Sequence, residues 1–307
     1  MSSVVSYNVC DTSIIYKDGV YKYSLPQEML EGLLSGIGFG RLEKYTEEEF
    51  RALCEDIQEI YEKIMLEGPE KAPLAVMTAG APGAGKTTKM REVLSGKNIA
   101  YICPDDVCLR GQRRTYRVDI ESGDGSKEAR LEAYNKWRPG SNAATHFTLA
   151  NLIRERYAFY FGTTSSSPAT GLFFKFLQEQ GYRIKLIHLS APDAVRWASI
   201  QERDETFVQT TEADVVEKGR LLPQRIMDTF LAYADEIEFY YRADVAKNAE
   251  LAATWIRNKG EAKLGTLEIV SPLEYGAIKD IHNAAVTALG RPELSWEATV
   301  EANSEIF

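Results

Sequence analysis

Along the middle of the chain, short apolar runs alternate with segments whose apolar residues recur every three or four positions. Runs at Leu74–Ala79, Asn98–Cys103, Tyr157–Gly162, Arg183–Leu189 and Glu236–Arg242 predict strands. Helical spacing between them predicts helices over Lys86–Leu94, Ala143–Glu155, Ala169–Gln180, Asp193–Glu202 and about Arg220–Ala234. Strands alternating with helices are the signature of βαβ units in a parallel sheet of about five strands, an α/β class. Right-handed crossovers would bring every strand's C-terminal end to one rim, where ligands of such sheets collect.

Upstream, Ser13–Tyr23 reads as strand-like pieces, Pro26–Leu34 as a short helix and Thr46–Met65 as a longer one opening on the cap Thr46-Glu47-Glu48-Glu49. On that long helix Phe50, Leu53, Cys54, Ile57, Ile60, Tyr61 and Ile64 form one apolar face, suited to packing on the core or to an inhibitory or partner-binding role. Gly68-Pro69-Glu70-Lys71-Ala72-Pro73 reads as a linker. The expected organisation is a mostly helical N-terminal extension over 1–67, a core over 68–245 and a short C-terminal extension over 246–307, with Thr266–Val270 as a strand and Leu273–Leu289 as a helix. The segment Gly111 to Gly140, rich in glycine and charge, reads as a long connection covering the rim.

Thirty-six basic against 45 acidic residues give a net charge of −9, which argues against a general nucleic-acid or anionic-membrane binder. Cys10, Cys54, Cys103 and Cys108 contain no C-x-x-C pair, so neither a zinc site nor a disulfide framework is expected. No N-terminal signal pattern and no apolar run near the roughly 20 residues needed to span a bilayer occur. The expected location is therefore cytoplasmic.

The chemistry centres on Gly80-Ala81-Pro82-Gly83-Ala84-Gly85-Lys86-Thr87, a full match to G-x-x-x-x-G-K-[ST] between a predicted strand and a predicted helix. Glycines let the backbone turn and approach the ligand, and N–H groups at the helix start face phosphate oxygens. Gly80 through Thr88 are the expected nucleotide contacts, with Lys86 on the β/γ-phosphates and Thr87 on Mg²⁺, so ATP and Mg²⁺ are the expected cofactors and the core is P-loop kinase-like. The second strand ends in Pro104-Asp105-Asp106; Asp105 is the expected general base and a second metal contact, with Asp106 in reserve on the substrate side. The alternative makes Asp106 a helix cap and Asp105 a ligand of metal-bound water. Thr163, Thr164 and Ser165, in a hydroxyl-rich run after the third strand, are expected either to line a substrate pocket or to cap the next helix. Arg113 and Arg114 are expected to meet a phosphorylated substrate. Arg203 and Arg220, in a lid-like stretch, are expected to neutralise the transferred phosphate, whereas Arg196 and Arg225 are expected in surface ion pairs with Asp193 and Asp228. His146, His188 and His282 are given no catalytic role.

The order of these motifs, with Pro104-Asp105, Gly181-Tyr182-Arg183, Arg203 and Arg220 beside the phosphate loop, resembles the zeta-toxin family from about Pro73 to Arg242. The resemblance implies ATP- and Mg²⁺-dependent phosphorylation of the 3′-hydroxyl of the sugar in UDP-N-acetylglucosamine, with Lys86, Thr87, Asp105, Arg203 and Arg220 in the roles above. It also implies a sugar-nucleotide substrate and silencing by a small helical antitoxin, a task the N-terminal segment could perform in cis. Several family members carry a glutamate at the third strand's end that helps hold the sugar nucleotide; this chain has Phe161-Gly162. The alternatives are a kinase for another nucleotide-containing acceptor, such as a dinucleotide or a polynucleotide end, and an ATP-binding effector module without turnover.

Overall fold

The computed structural model describes residues 5–9, 12–17, 20–23, 45–204, 212–261 and 263–307. The chain forms two compact units that alternate along it: residues 1–72 with 98–159, and residues 73–97 with 160–307.

In the first unit, β1 (Val5–Val9), β2 (Thr12–Lys17) and β3 (Val20–Tyr23) form an antiparallel sheet paired through Val9 with Thr12 and Lys17 with Val20. Strands β2 and β3 fall where strand-like pieces were expected at Ser13–Tyr23, and β1 adds a third; the helix expected at Pro26–Leu34 lies outside the described residues. Helix α1 (Glu47–Leu66) opens on a capping box, Thr46 Oγ1 accepting from the Glu49 N–H and Glu49 accepting from the Thr46 N–H at 2.8 Å. Its face of Phe50, Leu53, Cys54, Ile57 and Ile64 is buried. Asp56 lies on the same face with 0% exposure. Its carboxylate accepts from the Arg114 N–H at 2.9 Å and from Thr115 Oγ1 at 2.8 Å, tying α1 to the backbone that leads into α3.

The phosphate-loop helix α2 (Lys86–Leu94) belongs to the second unit; the first resumes with β5 (Ala100–Ile102), α3 (Tyr116–Ser122) and α4 (Lys127–Arg154). The expected loop over Gly111–Gly140 is corrected: much of it is helix, and the helix expected from Ala143 begins at Lys127. Pro139 sits inside α4, where Pro-Gly reads in sequence as a breaker. Gly140 admits the close approach of Leu53, whose Cδ1 would stand 2.9 Å from any Cβ there, so α1 packing holds the helix through its weakest step.

The second unit is a sheet with helices. Strands β4 (Leu74–Ala79), β7 (Arg183–Ser190) and β8 (Glu236–Tyr241) are parallel, and β9 (Glu250–Arg257) and β10 (Gly265–Ile269) then continue antiparallel. With β6 (Phe159–Phe161) and β11 (Ser304–Ile306), the neighbours run β11-β10-β9-β8-β7-β4-β6. This corrects the parallel sheet of about five strands: the sheet is mixed and larger, because the C-terminal segment supplies three strands of its own. Helices α5 (Ala169–Glu179), α6 (Asp193–Asp204), α7 (Glu212–Arg225) and α8 (Pro272–Leu289) complete the unit with the short α9 (Trp296–Thr299). Fully buried Met77, Ile184, Leu186, Ile187 and Phe239 form its centre, and Trp296 of the C-terminal segment packs edge-on against Phe239 at 5.2 Å.

Asp56→Ala strips three donors, the Arg114 N–H and Nη1 and the Thr115 hydroxyl, of their buried acceptor and should cost about 3 kcal/mol of stability, whereas Arg113→Ala, breaking an exposed pair with Glu59, should cost under about 1 kcal/mol. Urea unfolding of both variants checks the ratio.

Candidate active site

The parallel strands β4, β7 and β8 end on one rim of the second unit, and the phosphate loop fills the gap between β4 and α2. Gly80 and Gly83 have φ of 138° and 81°, the left-handed region that a side chain rarely adopts. Space is equally decisive. A Cβ on Gly83 would lie 2.2 Å from the carbonyl oxygen of Arg196 in α6, and one on Gly80 would lie 2.5 Å from that of Leu189 in β7. The Lys86 ammonium folds into the loop, donating to the carbonyls of Gly80 at 2.8 Å and Ala81 at 2.9 Å. Thr87 is half-buried and Thr88 exposed in the first turn of α2, whose leading N–H groups have no intrahelical acceptor. A bend with free donors, a lysine and a hydroxyl at the helix start has the chemistry of an anion cradle.

Arg242, just beyond β8, was missed as a site residue. Its guanidinium donates to the Gly83 carbonyl at 3.3 Å and to Ser199 Oγ at 3.0 Å, placing positive charge under the loop. The sequence offered no motif for it, only its place as the last residue of the run Glu236–Arg242 expected as a rim strand.

The run after β6 is tied to the start of the phosphate loop through its own backbone and through the Ser165 hydroxyl, while Thr163 and Thr164 are half-buried. Thr78 Oγ1 donates to the Thr163 carbonyl at 2.8 Å and accepts from the Thr163 N–H at 2.9 Å, Gly80 N–H donates to the Thr164 carbonyl at 3.1 Å, and Ser165 Oγ donates to the Thr78 carbonyl at 2.6 Å. Ser165 is 1% exposed with φ of 50°, so it clamps the start of the phosphate loop rather than opening onto solvent.

On the lid side, Arg220 is exposed on α7, and Arg203 lies in the last turn of α6 with its side chain outside the described residues. Arg225 pairs with Asp228 at 2.9 Å, as expected. Arg196 pairs with Asp193 but is not the surface residue expected: it is 5% exposed and donates from Nη1 to the Val215 carbonyl at 2.7 Å. It thereby braces α6 to α7.

The carboxylates belong to the first unit. Asp105 and Asp106 lie in the helical turn Pro104–Asp106 after β5. Asp105, with a side chain 44% exposed, accepts from Arg138 Nη2 at 2.9 Å and from the Tyr134 hydroxyl at 3.3 Å, which fixes its direction. Asp106 accepts from the Tyr101 hydroxyl at 2.6 Å. Arg113 and Arg114 face α1: Arg113 meets Glu59 at 3.1 Å, and Arg114 meets Glu59 at 2.5 Å and Glu55 at 3.2 Å. The described residues contain no cluster of three or more His, Cys, Asp or Glu able to hold a metal, and no helix among them is long and apolar enough to cross a membrane.

A family model described as Zeta toxin matches residues 57–261, more than half of the 307 residues. The chain belongs to the zeta toxin family. The zeta toxin match ends before β10, so β10, α8 and β11 lie beyond it. Among solved structures, the chain is similar at 16% identity and TM-score 0.48 to one from the PezAT chromosomal toxin-antitoxin system of Streptococcus pneumoniae, over 82% of this chain and 98% of that one. It is similar at 14% identity and TM-score 0.49 to a structure of AvrRxo1-ORF1:AvrRxo1-ORF2 with sulphate ions, over 87% and 90% of the two chains. A structure of AvrRxo1-ORF1:-ORF2 with ATP is similar at 14% identity and TM-score 0.47, over the same shares of 87% and 90%. A search of curated proteins returns no match.

In this zeta toxin family member, Gly83→Ala should cost on the order of 3 kcal/mol, from the left-handed backbone and the clash with α6 together, and should abolish nucleotide binding; denaturant unfolding and an ATP titration check both. A second expectation concerns pH. Burial, with repulsion from His282 and Lys86, holds the His188 imidazole down at about 3 against its ordinary 6.5. Between those values the unfolded chain binds a proton that the native chain lacks, so this residue's contribution makes stability fall as pH drops, by up to about 1.4 kcal/mol per pH unit. His188→Gln should flatten the change in urea midpoint between about pH 6.5 and about pH 4.

Proposed function

We propose that the chain is an ATP- and Mg²⁺-dependent small-molecule kinase that phosphorylates a hydroxyl of a sugar nucleotide, with UDP-N-acetylglucosamine as the first acceptor to try. The observation that carries this reading is the built phosphate loop: Gly80 and Gly83 at positive φ where no Cβ fits, with Lys86 held against the Gly80 and Ala81 carbonyls. In the proposed reaction the acceptor oxygen forms a bond to the γ-phosphorus, the bond from that phosphorus to the bridging oxygen breaks, ADP departs with the electron pair, and the hydroxyl proton passes to Asp105. Arg138 and Tyr134 aim that carboxylate. Arg203 and Arg220 would neutralise charge on the transferred group. The donor set fits Mg²⁺, which takes oxygen ligands and keeps several waters rather than needing a protein cage. Thr87 would hold it with the phosphates, and the ion would offset their negative charge.

The acceptor has a second reading, another nucleotide-containing alcohol, favoured by one observation. Phe161, at the end of the third strand where the family resemblance implied a glutamate, is buried and packs edge-on against Phe173 at 6.0 Å. No acidic contact is available from that side chain. Family membership also brings a separate antitoxin into the proposal. The filled apolar face of α1 favours packing over a cis-inhibitory role for residues 1–67.

Incubating the protein with ATP, Mg²⁺ and a panel of hydroxylated nucleotides, and searching by mass spectrometry for a product heavier by one phosphoryl group, tests the reading. Asp105→Asn should lower turnover by roughly 10²-fold or more with nucleotide affinity retained. An Asp105→Asn variant as active as the native chain would remove the base assignment.

A further inference from the structure

The second unit contains a cavity of about 370 Å³ that no assignment above uses. Its size is within the range of small-molecule sites, roughly 300–1,000 Å³. Ala81 of the phosphate loop and Ser190 at the end of β7 border it on one side, and Gly219 and Arg220 of α7 on another. The remaining wall is α8, through Ile281, Ala284, Ala285 and Ala288. Their three- and four-residue spacing makes one helix face. Three alanines on it keep the space open, and Ala284 and Ala288 are exposed.

The cavity's position along the loop decides what it can take. Lys86 sits on the carbonyls of Gly80 and Ala81, which marks that end of the loop as the one facing the β/γ-phosphates. The other end, at Gly85 and Thr88, borders a separate small recess with Arg242 and Lys247. A cavity bordered by Ala81 therefore lies beside the terminal phosphate, where an in-line acceptor stands. Its charge agrees: Asp193 is already paired with Arg196, while Arg220 forms no ion pair among the described residues.

Resting on the kinase reading, we propose that this cavity is an acceptor subsite: the alanine face of α8 takes the apolar body of the alcohol, while Arg220 at its edge faces the phosphoryl group being transferred. Because α8 lies beyond the zeta toxin match over residues 57–261, this wall would make acceptor choice a property of this chain's own C-terminal segment.

The test uses the full chain, γ-labelled ATP and an acid-soluble metabolite extract as the probe, reading label transferred to small molecules and, separately, ATP affinity. Ala284→Trp, which fills the cavity from an exposed position, should lower transfer at least about tenfold with ATP affinity within about twofold, whereas Thr287→Trp, exposed on the same helix but off the cavity wall, should behave as the native chain. Ala288→Phe, one turn along, should act like Ala284→Trp and replaces it if that variant does not fold. Full transfer by the filled variants overturns the subsite, and so does a parallel loss of transfer and ATP affinity in a folded variant, which would mean the loop was disturbed. A native chain that binds ATP but labels nothing fails the kinase reading itself, before any variant is compared.

Discussion

Gly83 meets the backbone of α6 so closely that no other residue fits, and the loop's function follows from that contact. The would-be Cβ, 2.2 Å from the Arg196 carbonyl oxygen, is the measure of how deeply the bend is seated. A loop pressed onto a helix on one side, onto the Leu189 carbonyl through Gly80 on another, and clamped by Ser165 and Thr78 at its start has little freedom left to lose when an anion arrives. Preorganisation of this kind removes an ordering cost from binding. Lys86 fits the same logic: its ammonium has the loop's own carbonyls as partners and sits where phosphate charge would come.

The phosphate loop and the strands around it were legible because local chemistry and tertiary role coincide there. G-x-x-x-x-G-K-[ST] between an apolar run and a helix start has few structural solutions, and Leu74–Ala79 and Lys86–Leu94 fall where the pattern put them. Where tertiary contacts override local signals, the pattern misled. Pro139-Gly140 reads as a break, yet Leu53 of α1 packs on Gly140 and α4 runs through both. Of the hydroxyls after β6, read as lining a pocket or capping a helix, Ser165 instead bonds to the neighbouring strand's backbone, a distinction that composition cannot make. Arg242 carries no motif, and only the register of β8 beside β7 brings it under the loop. Of the C-terminal strands, β10 falls where a strand was expected at Thr266–Val270, whereas β9 and β11 were not seen, being stabilised by pairing with β10 rather than by strong periodicity.

The acceptor is the point at which fold and family stop being informative, since one scaffold serves many chemistries through side chains at a few positions. At Phe161 the position is filled by packing, and an acid there would have to displace the contact with Phe173. The determinants of the acceptor must therefore come from other elements. Arg220 on α7 and the carboxylates after β5 are polar groups with exposure left to meet a ligand, whereas Arg113 and Arg114 already face α1 carboxylates.

Arg196 shows why a charge is retained inside the second unit. Burying a guanidinium costs several kcal/mol unless its hydrogen bonds are met, and a hydrocarbon of similar volume often packs as well. A hydrocarbon could not do what this side chain does with direction. One amino group reaches the Val215 carbonyl in α7, another reaches Asp193 at the start of α6, and the guanidinium lies against Gly219, the neighbour of Arg220. Its own carbonyl is the surface on which Gly83 sits. A single residue thus joins the seat of the phosphate loop to the helix that carries Arg220. A displacement of α7 must strain the Arg196 contacts beside the loop, so the desolvation cost is offset by a fixed geometry between loop and α7 that apolar packing would leave free to slide.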